Sequence, residues 1–121
     1  MSIAKNTMQG GLSAMTSLAI NGGVAAGLSA AGTTQGTATA LALGCNTVTT
    51  VASSSGVILP AGNLGDEMWV FNNGANSLTV YPPTSAKINA GSTNAGVSIG
   101  TATVCVFKCV SATQWIANLS A

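Results

Sequence analysis

From residue 37 onward, apolar residues alternate with small or polar ones at the two-residue period of β-strands. "ATALALGCNTVTTV" (38–51) mixes aliphatic residues with Thr, and Gly56 leads into "VILP", where Pro60 ends the run. "DEMWVFN" (66–72) reads as a strand, "NGAN" (73–76) as a turn and "SLTVYP" (77–82) as the return strand of a hairpin. Asn-Gly between two β-rich runs is a strong local hairpin signal. Pro82 and Pro83 stop that strand. Short extended pieces follow around 86–89 and 96–99. "TATVCVFKCV" (101–110) is the strongest strand pattern, followed by a turn at 111–113 and a final strand in "QWIANL". About seven short strands separated by turn signals predict an all-β fold, a small antiparallel β-sandwich or barrel.

The first 36 residues follow a different pattern. They are rich in Gly, Ala and Ser and contain no aromatic residue. Met8, Leu12, Met15 and Leu18 recur at helical spacing, which allows a short helix over 7–20. Gly10 and Gly11 oppose it, each costing about 1 kcal/mol relative to Ala. The segment is expected to be an extended, Gly/Ala-rich N-terminal arm (1–36) ahead of a β-module (37–121). Its apolar residues, Ile3, Met8, Leu12, Met15, Leu18 and Ile20, are its candidate contacts with a partner. The apolar stretch 18–31 is interrupted by Asn21, Gly22 and Gly23, and is short of the roughly 20 residues a membrane span needs.

Charge is the next constraint. Only 4% of the 121 residues are charged, and the net charge is +1. Average soluble domains carry roughly 25%. A chain with so little charge is expected to bury much of its surface against other subunits. Three well-separated lysines, Lys5, Lys87 and Lys108, make no footprint for nucleic acid or an anionic membrane. A β-module with few large side chains is also expected to gain stability by oligomerising.

Candidate chemistry is sparse. There is no histidine, so Ser-His-Asp and Cys-His nucleophile pairs and His-containing metal sites are excluded. Asp66 and Glu67 are the only acidic residues. As neighbours on a strand they point to opposite faces, so they do not converge as an acid–base pair. Asp66 is expected to accept backbone N–H bonds in the preceding turn. Glu67 is expected to share a face with Trp69 and Phe71 and to pair with Lys87, Lys108 or a neighbouring subunit. Cys45, Cys105 and Cys109 are read as buried thiols in a reducing compartment, with a bridge from Cys45 to one of the others as the alternative, since Cys105 and Cys109 would lie about 13 Å apart along a strand. No cofactor or metal is expected. Trp69, Phe71, Tyr81, Phe107 and Trp115 are all of the aromatics, and they are the candidate core and oligomer contacts. The Trp69/Phe71 face is expected to stack on the face formed by Cys105, Phe107 and Cys109.

From Gly32 to Trp115 the ordered series "GTTQGTATAL", "GVILP", "GDEMWVFNNGANSLTVYPP", "KIN" and "TQW" resembles a β-module of tailed-phage virion proteins. These are the capsid decoration (cement) and head-fibre-like proteins. The resemblance implies a non-enzymatic virion structural protein, made in the host cytoplasm and placed on the capsid surface. It implies a β-knob that associates as a trimer and an arm that binds the major capsid protein. The competing expectation is a tail-fibre or receptor-binding module, for which exposed aromatics or polar clefts would be the mark. A cysteine-based enzyme is disfavoured by the missing histidine.

Overall fold

The computed structural model describes residues 23–42 and 44–118. The arm residues Ile3, Met8, Leu12, Met15, Leu18 and Ile20, and the helix considered over 7–20, lie outside the described residues. Ten strands occur among the described residues: β1 (Val24–Ser29), β2 (Thr39–Ala40), β3 (Cys45–Thr50), β4 (Gly56–Ile58), β5 (Glu67–Asn72), β6 (Leu78–Tyr81), β7 (Lys87–Ile88), β8 (Val97–Ile99), β9 (Thr103–Ser111) and β10 (Gln114–Ala117). They form a six-stranded sheet, ordered β1-β3-β5-β9-β10-β7, and a four-stranded sheet, ordered β2-β4-β6-β8. The fold is all-β, as the alternation predicts.

The connectivity is not that of an antiparallel sandwich or barrel. Successive strands alternate between the two sheets, and β1, β3 and β5 pair in parallel, as do β2, β4 and β6. The chain returns to the same station after 21 residues (24 to 45) and again after 24 (45 to 69). This is the winding of a β-solenoid. Each coil gives one strand to each sheet, and the apolar residues stack between the sheets. The stack ends when direction reverses: β9 runs antiparallel to β5, and β8 antiparallel to β6. β10 folds back on β9 as an antiparallel hairpin, in keeping with the expectation, and also pairs in parallel with β7.

The expected hairpin around Asn73-Gly74 is therefore corrected. β5 and β6 lie in different sheets, and the segment between them is a corner of the coil. Side-chain amides hold that corner. Asn72, fully buried, donates from Nδ2 to the carbonyls of Asn76 (2.9 Å) and Ile99 (3.0 Å), and its Oδ1 accepts from the Gly74 N–H (3.0 Å). Asn76 Nδ2 reaches back to the Val51 carbonyl of the preceding coil (2.8 Å). Gly74 packs against the same Val51, where a Cβ would fall 2.5 Å from Cγ2, so only glycine fits without a shift. A corner of this kind binds one coil to the previous one, whereas a hairpin turn would bind only itself.

β1 carries a second correction. It lies within the stretch expected to be arm, yet it is one of the two edge strands of the six-stranded sheet. Gly/Ala-rich sequence hides its strand character, because its side chains bury little: the strand is largely exposed and its register slips twice.

The core holds Leu41, Val48, Val57, Leu59, Met68, Val70, Leu78, Val80, Ile88, Ile99, Cys105, Phe107, Cys109 and Trp115. Trp115 is 0% exposed, and its Cζ2 would lie 2.7 Å from a Cβ at Gly62, so the backbone at Gly62 lies close against the indole.

Candidate functional site

β5 and β9 are neighbours, paired from Glu67↔Lys108 to Asn72↔Thr103. One face of this pair points into the core with Met68, Val70, Cys105, Phe107 and Cys109. The other points outward and carries Glu67, Trp69 and Phe71 on β5 and Val104, Val106, Lys108 and Val110 on β9. In a sheet with one side in water this outer row would be polar. Here it is apolar over most of its length. Trp69 sits directly opposite Val106, and Phe71 opposite Val104. Trp69 is 44% exposed, Val104 47%, and Ile116, beyond Lys108 on β10, 47%. Soluble monomers rarely expose contiguous apolar patches larger than a few hundred Å², and larger patches mark interaction surfaces.

The stacking expected between the Trp69/Phe71 face and the Cys105/Phe107/Cys109 face is overturned. The register puts Met68 opposite Phe107 and Val70 opposite Cys105. The two faces thus lie on opposite sides of one sheet. Phe107 and Trp115 are core residues, while Trp69 is not. Tyr81 takes a third position, on the outer side of the four-stranded sheet. Its ring lies against Gly56 and Gly96, and its hydroxyl donates to the Thr33 carbonyl (3.1 Å), tying the 33–38 loop to the sheet.

One end of the outer face is charged. Glu67 and Lys108 stand side by side across the β5–β9 ladder, and Trp69 Nε1 donates to Glu67 Oε2 (3.3 Å). Glu67 thus shares its face with Trp69, as expected. Together with Val106, Ile116, Ala117 and Asn118, Glu67 and Lys108 line an open hollow of about 440 Å³. This lining holds one carboxylate, one amine and one amide, and no hydroxyl or thiol. Asp66 lies apart from it, in the turn. Its Oδ2 accepts the Asn63 N–H (2.8 Å), and its backbone carbonyl accepts from Cys109 N–H (2.8 Å). The two acids diverge, as read from their adjacency.

All three cysteines are free thiols. Cys105 and Cys109 are buried, as expected, but Cys45 is only half-buried, opposite Trp69 at the border of the outer face. Burial pushes the Cys105 thiol above its ordinary range, and its Sγ donates to the Asn118 carbonyl (3.2 Å). No cluster of metal-binding side chains occurs among the described residues, and no helix among them is long and apolar enough to cross a membrane.

Comparison with protein-family models, curated proteins and solved structures finds no match to this chain. The outer face is the feature that sequence reasoning missed. Its signal was present in "MWVF" and "VCVF", where both members of each alternation are apolar.

Proposed function

We propose that the chain is a non-enzymatic structural protein of a phage-like particle that decorates and stabilises the capsid. It acts by burying neutral surface rather than by chemistry. One observation carries this reading: the outer face of β5, β9 and β10 exposes Trp69, Val104 and Ile116, with Phe71 and Val106 half-buried among them, in a chain with almost no charge elsewhere. Such a face is an assembly surface. The partner comes from the resemblance to cement proteins. The major capsid protein would be bound through the N-terminal arm, with Ile3, Met8, Leu12, Met15, Leu18 and Ile20 as its contacts, and the β-module would self-associate, as a trimer if the resemblance holds throughout. A neutral interface depends little on ionic strength. Binding of the purified protein to expanded capsids stripped of it should therefore survive molar salt and be lost on deletion of residues 1–20. Unchanged binding after that deletion would refute the arm.

A tail-fibre or receptor-binding role is the second reading, and a specific observation favours it. An exposed indole stands beside an open hollow holding a carboxylate, an amine and an amide, which are groups that can hold a polar surface ligand such as a glycan. Copy number in purified particles separates the two. Hundreds of copies per particle support decoration, and a handful supports a tail or fibre component.

A further inference from the structure

We infer that the outer face of the six-stranded sheet is occupied by a second copy of this chain, docked face to face about a two-fold axis running parallel to the strands between β5 and β9. The inference rests on the reading of that face as an assembly surface and names its occupant. It departs from the three-fold symmetry that the resemblance implies.

The argument is one of self-complementarity. A two-fold interface presents the same patch twice, so each residue must suit its symmetry partner. Rotation about an axis between two paired strands lays β5 of one copy over β9 of the other and keeps residues at their own height along the strands. The ladder then fixes which residues meet. Glu67 pairs with Lys108 in register, so Glu67 of each copy falls over Lys108 of the other. Trp69 falls over Val106 and Phe71 over Val104, because those are their ladder partners. The three ladder pairs brought together by this operation are acid on base or apolar on apolar. The exposed side chains of Trp69 and Val104 would be covered, and Glu67 and Lys108 would sit together at one end, where a polar rim belongs. The docked sheets would lie roughly 10 Å apart, the ordinary spacing of stacked sheets. With five charged residues in the whole chain, finding two of them as an opposed pair on the one apolar face is what selects a second copy over a partner of a single charge sign.

Charge reversal tests it on the full-length protein. Wild type should sediment as a dimer. Glu67→Lys alone places lysine against lysine at both symmetry-related contacts, and Lys108→Glu alone places acid against acid. Each should weaken self-association at least about tenfold, since two attractive pairs become repulsive. An equimolar mixture of the two single variants should form a heterodimer, because every cross-contact is again acid on base. Trp69→Ser should give a folded monomer, checked by its unchanged far-ultraviolet circular dichroism. A wild-type monomer or trimer, or a mixture that stays monomeric, overturns the inference. Capsid binding by the monomeric variants would leave the decoration reading intact, and loss of capsid binding by a dimeric arm deletion would leave the two-fold pair intact.

Discussion

The inner and outer faces of β5 and β9 are built from similar residues and meet different fates. Inside are Met68, Val70, Cys105 and Phe107, packed against the opposing sheet. Outside are Trp69, Phe71, Val104 and Val106, with the larger aromatic share. Hydrophobicity alone would bury either set. The inner set is buried because the four-stranded sheet covers it, and the outer set faces solvent because nothing in the described chain lies over it. On neighbouring β3 the outward positions are Cys45, Thr47 and Thr49, of which the two threonines are at ease in water. An apolar outer row confined to the centre of the sheet is thus a feature of β5, β9 and β10, and it points to assembly.

The sharpest way to break this comparison is to truncate one residue on each side. Phe107→Ala should cost about 3–5 kcal/mol in urea unfolding, since it opens a cavity in a fully buried site. Trp69→Ala, measured on the monomer, should cost about 1 kcal/mol or less despite removing a larger ring. Equal costs would mean that the outer face is packed within the single chain. Asn72→Ala comes next, with an expected loss of about 1–3 kcal/mol, because the carbonyls of Asn76 and Ile99 and the N–H of Gly74 lose their partner at the coil corner. A neutral result there would show that the corner is held by packing alone.

Cysteine chemistry gives smaller effects. The folded state holds the Cys105 thiol neutral by burial, so its pKa lies above that of the unfolded chain. Stability from this group is fully present below the ordinary thiol range and is lost as pH rises through the raised folded value. Unfolding free energy should therefore fall at alkaline pH, and Cys105→Ala should flatten that limb of the profile. Alkylation of the native protein should reach Cys45 before Cys105 and Cys109, because only Cys45 is partly open to solvent. Docking of a second copy over the neighbouring Trp69 should slow it further, so Cys45 should label faster in the Glu67→Lys monomer than in wild type.

Much of the strand inventory was legible in the chain. Pro60 and Pro83 follow the ends of β4 and β6, and the 111–113 turn joins β9 to β10, all by local backbone rules. Asp66 was placed in its turn for the same reason. A further signal went unread. Val57 and Val80 are register partners 23 residues apart, and Pro60 and Pro83 repeat at the same interval, which is the period of a coil. The Asn-Gly pair misled because a turn and a corner share residue preferences. What separates them is the reach of Asn76 to Val51 and of Asn72 to Ile99, across 25 and 27 positions.

By itself the sequence determined where strands form and break, because alternation, proline and glycine act through the local backbone. It also determined that this protein has almost no charge with which to face water. Only the tertiary structure decided which sheet each strand joins, that the coils stack in parallel, and which side of β5 lies inside. The physical reason is that a strand with two apolar faces carries no internal preference between them. That choice is made by the surfaces that come to cover it: the four-stranded sheet on one side and, as we propose, a second copy on the other.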